Sequence, residues 1–241
     1  MSVFNIFSRF RHVSCTDTGK PLQTYSGKYK DGKATYSYYE ENGERLYHGR
    51  MEYSRTYNNP PHGKGKETAT GNFKDGKKDG WWFFSDRKRG DVAELKVFYT
   101  DGVPDGNYRF KSESKSNSAM MRRGKTVLQG TMSKKMPIGM IKGCFSGGVL
   151  TGECNANGLP DGTWKLDYSD AGSCKINYEE WNDGDCTGAW EFDTSTGERH
   201  KPQVHIVDFL SNFIYRECLR LVAIMPKGSS EWNGRFQANA K

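Results

Sequence analysis

The chain has 241 residues, 36 Lys and Arg against 29 Asp and Glu for a formal charge of +7, and a mean hydropathy of −0.85 with 34% hydrophobic residues. That is too polar for a thick globular core. The 28 glycines and 13% aromatic residues exclude a long helical bundle and favour a shallow, turn-rich β protein whose apolar area comes mainly from rings.

Residues 1–24 form an N-terminal segment. "MSVFNIFSRFRHVSC" lacks the continuous apolar run of a signal peptide, and His12, Val13 and Ser14 before Cys15 fit a lipoprotein cleavage box poorly. With no run of about 18 apolar residues elsewhere in the chain, the expectation is a cytoplasmic protein. Phe4, Phe7 and Phe10 mark the segment as one for docking, and nothing longer is read there.

From residue 25 to 199 one short pattern recurs: glycine, three residues, glycine, any residue, Trp or Tyr, any residue, Phe or Leu. Gly76 and Gly80 lead to Trp82 and Phe84, Gly102 and Gly106 to Tyr108 and Phe110, Gly158 and Gly162 to Trp164 and Leu166, and Gly184 and Gly188 to Trp190 and Phe192. Weaker copies run through Lys135, Gly139 and Ile141, through Gly32 and Tyr36, and through Gly49, Met51 and Tyr53. From Gly80 through Gly106, Gly139, Gly162 and Gly188 the steps are 26, 33, 23 and 26 residues, the size of one supersecondary unit. "FKDGKKDGWWF" shows what the unit is: an apolar run, Asp-Gly turn chemistry, then a second aromatic run, which predicts a β-hairpin with a four- or five-residue loop. A lone hairpin is marginal in water, so stability must come from hairpins stacked side by side. The predicted fold is all-β, an elongated antiparallel sheet or solenoid of about six repeated hairpins with a C-terminal capping α-helix.

"DGKKDGWWFF" breaks the alternation of a half-buried strand, because Trp81, Trp82, Phe83 and Phe84 offer rings to both faces. Period two puts Gly80, Trp82 and Phe84 on the core face that the other units share. The alternate positions elsewhere read Asn107, Thr163 and Ala189, then Arg109, Lys165 and Glu191, so Trp81 and Phe83 are the exceptions. Two expectations stand for them: cover from within the chain, by "SRTYNNPPHGKG" or the terminal helix, or a binding patch for a partner.

These segments, "GNFKDGKKDGWWFF", "FYTDGVPDGNYRF" and "EEWNDGDCTGAWEF", resemble MORN repeats, particularly the variant type of bacterial antitoxin-like proteins. The resemblance covers residues 25–199, with Tyr36, Lys135, Ile141 and Asn155 departing from the motif. It implies a sheet or solenoid of hairpins used for binding, with phospholipid as a ligand of some members, and no catalytic residues.

Charge is segregated. Residues 114–142 carry Lys115, Arg122, Arg123, Lys125, Lys134, Lys135 and Lys142 and no acid, whereas residues 153–198 carry eleven acids against Lys165 and Lys175. The acidic part argues against a uniform nucleic-acid groove, so no specific nucleic acid is predicted, while the basic segment suits an acidic protein or anionic phospholipid, or is simply a solvated loop.

Motifs for chemistry are few. "RRGKT" imitates the end of a phosphate-binding loop, but Ala119 stands where its first glycine is needed. The six cysteines form no CxxC pair, the five histidines have no metal-ligand spacing with them, and the adjacent Glu179 and Glu180 must face opposite sides of a strand. No catalytic residue, metal or cofactor is predicted.

Residues 200–241 hold the C-terminal element. Across residues 203–225, Val207, Leu210, Ile214, Cys218, Leu221 and Met225 recur at steps of three and four, opposite Asp208, Asn212, Arg216 and Arg220, which predicts an amphipathic helix ended by Pro226 and Gly228. It is read as a cap on the open end of the stack, with a membrane-surface or partner-docking helix as the alternative. The functional expectation is a non-catalytic protein-binding module, antitoxin- or immunity-like, with Trp81, Phe83, Lys115, Arg122, Arg123, Lys125, Lys134 and Lys135 as partner-binding residues. The alternative is a peripheral module binding anionic phospholipid through residues 114–142.

Overall fold

A computed structural model describes residues 19–59, 63–114, 124–145, 147–202 and 205–224. Fourteen strands follow one another as a single antiparallel meander: β1 (Gln23–Tyr29), β2 (Gly32–Glu41), β3 (Glu44–Asn59), β4 (Gly63–Lys74), β5 (Lys77–Lys88), β6 (Asp91–Thr100), β7 (Val103–Ser114), β8 (Gly124–Ser133), β9 (Met136–Phe145), β10 (Gly148–Cys154), β11 (Pro160–Asp167), β12 (Lys175–Asn182), β13 (Asp185–Asp193) and β14 (Glu198–His200). Their order in the sheet is their order in the chain, and the sheet is open. The all-β architecture of repeated hairpins is therefore the observed one.

The hairpin loops are shorter than predicted. Asp75-Gly76, Asp101-Gly102 and Asp183-Gly184 are two-residue loops with positive φ at both positions, the twist-matched turn that favours Asp-Gly. The second glycine of the motif lies inside the following strand. Gly80 keeps a positive φ (69°) there, and its hairpin carries a register shift between Thr70 and Asn72, where two extra residues of β5 bulge the ladder. The same loop binds sideways: the N–H of Gly76 donates to the Tyr47 carbonyl (2.7 Å), that of Gly102 to Lys78 (2.8 Å), that of Lys135 to Pro104 (2.9 Å) and that of Gly184 to Pro160 (2.9 Å). Each turn is thus tied to the strand of the preceding hairpin.

Alternation gives the sheet an inner and an outer face. Trp82, Phe84, Leu95, Val97, Tyr99, Tyr108, Phe110, Leu128, Ile141, Leu150, Trp164 and Leu166 form a continuous inner core. The largest rings sit over glycines on the neighbouring strand: a Cβ on Gly71 would stand inside the Trp82 indole, and one on Gly152 inside that of Trp164. The Trp82 N–H is satisfied by the Asn72 carbonyl at 2.9 Å.

The C-terminal helix runs as Ile206–Phe209, a π-helical stretch Leu210–Ile214, and Tyr215–Val222. Val207, Leu210, Ile214, Cys218 and Leu221 are buried as their spacing predicts, and Met225, Pro226 and Gly228 lie outside the described residues. The helix does not close the end of the stack. It lies across the inner face, with its start on β11 and β12 and its end on β5 and β6. At the start, the buried Glu179 carboxylate accepts the amides of Ile206 (2.6 Å) and Val207 (3.2 Å), so it satisfies two of the free N–H groups of the first turn and meets the positive end of the helix dipole. At the other end, Arg220 donates to buried Asp86 on β5 (2.7 Å) and lies 3.8 Å from Glu67 on β4.

Those two anchors tie the helix to strands seven spacings apart, and the helix bridges them along the inner face. It rises roughly 20 Å between Val207 and Arg220, and the Glu179, Asp86 and Arg220 side chains supply reach at its two ends. Among the described residues no helix is long and apolar enough to cross a membrane.

One inner-face residue contradicts the apolar pattern. Lys78 occupies the position that Pro104, Pro137 and Pro160 hold in other units, it is 2% exposed, and its amine lies 5.0 to 5.1 Å from the ring centres of Trp82, Phe84 and Tyr99 with no hydrogen-bond partner. Burial pushes its pKa down to about 7, since an ammonium without water or a carboxylate is costly even over ring faces.

Candidate functional site

Trp82 and Phe84 are core, so Trp81 and Phe83 point to the outer face, as the alternation requires. Among the described residues neither candidate for internal cover reaches them, and Pro60 and Pro61 lie outside those residues. "SRTYNNPPHGKG" lengthens β3 and β4, where Tyr57 turns inward to donate to Asp86 (2.7 Å), and the helix lies on the opposite face. Phe83 stays 48% exposed. Trp81 is half-buried by its own neighbours: the Phe98 ring packs edge-on at 5.3 Å, and the Lys96 ammonium lies 4.1 Å from the Trp81 ring centre and 5.3 Å from that of Phe83.

The register extends this cluster into a line across the sheet. Phe83 pairs with Lys96, Lys96 with Arg109, Arg109 with Gln129, Gln129 with Lys142, Lys142 with Thr151 and Thr151 with Lys165. Directly opposed residues project to one face, so these side chains stand side by side at strand spacing. Lys165 is neutralised by Asp167 at 2.8 Å. Among the described residues Lys96, Arg109 and Lys142 have no carboxylate within ion-pair distance, whereas Glu94 one row over is engaged by Arg87 (2.7 Å) and Lys111 (4.0 Å).

Two shallow grooves follow the line. One, of about 530 Å³, is lined by Trp81, Lys96, Arg109, Gln129, Met140 and Lys142; the other, of about 550 Å³, by Phe83, Glu94, Lys96, Arg109, Lys111 and Lys125. The face is thus cationic with apolar rims: Met140 is 52% exposed at one end and Phe83 stands at the other.

Of the residues singled out by sequence, Trp81, Phe83 and Lys125 share this face. Lys134 and Lys135 form the β8–β9 turn, both with positive φ, away from the grooves. Lys115, Arg122 and Arg123, in the β7–β8 connection, lie outside the described residues. Lys96, Arg109 and Lys142 were missed as a group because each is unremarkable as the polar residue of an alternating strand. The signal was present in the alignment of the repeats, where Arg109 and Lys165 fall opposite Phe83.

Glu179 and Glu180 diverge as adjacent strand residues must: Glu179 is buried under the helix, and Glu180 accepts from the Thr163 hydroxyl (2.9 Å) on the outer face. No group of three or more His, Cys, Asp or Glu among the described residues is placed to hold a metal ion. No family model, curated protein or solved structure matches this chain.

Proposed function

We propose that this chain is a non-catalytic protein-binding module working in the cytoplasm, and that the outer face of β5–β9 is its working surface. The observation that carries the reading is the placement of exposed Phe83 and half-buried Trp81 beside Lys96, Arg109 and Lys142, which have no carboxylate within ion-pair distance among the described residues. Aromatic residues and Arg are the usual anchors of protein interfaces, and a rigid sheet holds them in fixed register. The resemblance of the hairpin units to MORN repeats of antitoxin-like proteins supports the same reading, with an antitoxin- or immunity-like pairing as its specific form.

Affinity capture with the wild type and with Trp81→Ser/Phe83→Lys tests it. A stoichiometric protein retained by the first and lost by the second, with both chains folded, is the expected result. Equal capture by both overturns the assignment of the face. Anionic phospholipid is the second reading, favoured by exposed Phe83 and Met140 beside lysines. Salt-sensitive co-sedimentation with anionic but not neutral vesicles is its signature.

A further inference from the structure

We infer that the row Lys96, Arg109, Gln129 and Lys142 is a docking track for an extended acidic peptide segment of a partner protein, an inference that rests on the protein-binding reading above. The cations are consecutive in the ladder except for Gln129, an amide able to donate and accept. Three strand spacings set Lys96 and Lys142 roughly 14 Å apart, and carboxylates at every second residue of an extended peptide span roughly 13 Å over the same three charges. Phe83 at one end and Met140 at the other offer apolar contact to residues flanking the acids.

The geometry disfavours another anionic partner. A nucleic-acid strand bound without sequence preference needs open ring faces for its bases, yet the Lys96 ammonium lies over both Trp81 and Phe83, and Phe98 packs edge-on against Trp81. An extended peptide brings carboxylates to cations that already lie in line across the strands.

The test is fluorescence anisotropy on the full chain with three labelled probes: a decapeptide alternating glutamate and alanine with a terminal phenylalanine, its glutamine counterpart, and a dT12 oligonucleotide. The glutamate peptide is expected to bind, to weaken with salt, and to lose about tenfold or more in affinity on Arg109→Glu/Lys142→Glu. Lys28→Glu/Lys66→Glu, the same charge change on the outer face beyond the row, is expected to cost less than about threefold. Circular dichroism confirms that both double variants fold. Equal losses in the two variants, no binding of the glutamate peptide, tighter binding of dT12, or capture of the chain by phosphatidylserine vesicles through the same residues overturns the inference. If the peptide fails while a partner is still captured by the wild type and lost on Trp81→Ser/Phe83→Lys, the peptide track is wrong and the protein-binding reading stands.

Discussion

The amide of Ile206 donates at 2.6 Å to the Glu179 carboxylate, and this buried bond joins the start of the C-terminal helix to the twelfth strand of the sheet. The same carboxylate also accepts from Val207 (3.2 Å) and from the Trp181 indole (3.0 Å). Glu179→Gln keeps the shape, removes the charge and places a donor among donors, so it is expected to destabilise by about 1–3 kcal/mol. Urea denaturation reads the change, and an unaltered midpoint would show that the helix is held by its apolar face alone.

Lys78 makes stability depend on pH in a predictable sense. Its pKa is about 7 when folded against 10.5 ordinarily, so between those values the unfolded chain binds the extra proton. Its contribution is therefore most unfavourable below about pH 7 and fades as pH rises towards 10.5. Lys78→Met is expected to add about 2–4 kcal/mol at neutral pH and to flatten the rise between pH 7 and 10. A variant whose stability keeps the wild-type slope in that window places the titration elsewhere.

Gly71 and Gly152 are the seats of Trp82 and Trp164. Alanine at either position is expected to cost about 1–3 kcal/mol through overpacking, since the ring is enclosed and the backbone is part of a ladder. Gly197, in the β13–β14 turn with open space around it, is the control for close packing, where any cost of alanine comes from its positive φ (75°) alone. Thermal unfolding of the three variants orders them.

Lys135 holds a φ of 79° where other units carry glycine. Lys135→Gly is expected to stabilise by about 1 kcal/mol, the cost of holding a side chain in that region. Because Lys135 lies outside the grooves, peptide binding should be unchanged, and a lost affinity would return the turn to the binding surface.

Phe83 and Phe84 are neighbours with opposite fates. Phe84→Ala empties a core site and is expected to cost about 3–5 kcal/mol. Phe83→Lys is expected to stay within about 0.5 kcal/mol of wild type, as for other exposed positions. A comparable loss for both would mean that the outer face is covered after all.

The faces of the strands were legible because period two and the repeated motif agree at Trp82, Tyr108 and Trp164. The loops were misread because a glycine with positive φ signals a turn wherever it stands, and only the register shift between Thr70 and Asn72 shows that Gly80 belongs to a bulge. The amphipathic stripe announced that the helix buries Leu210, Ile214 and Leu221. It carried no information about which surface receives them, since Glu179 and Arg220 find their partners far away in sequence. The cationic row was hidden for a related reason. Its members come from hairpins of unequal length, and only the ladder brings Lys96, Arg109 and Lys142 into line.

Strand order that follows chain order has a consequence for synthesis. Each strand pairs with the one made just before it, so the sheet can grow by addition at its edge as the chain emerges, with every step local and fast. The helix is the exception, because it bridges β5 and β12 and is made after both. Until residues 206–222 leave the ribosome, the inner side of the growing sheet presents Trp82, Tyr108 and Trp164 to water, and the newest strand presents a bare edge. That interval is when the protein is most exposed to aggregation, and it ends only when the helix settles onto the inner face.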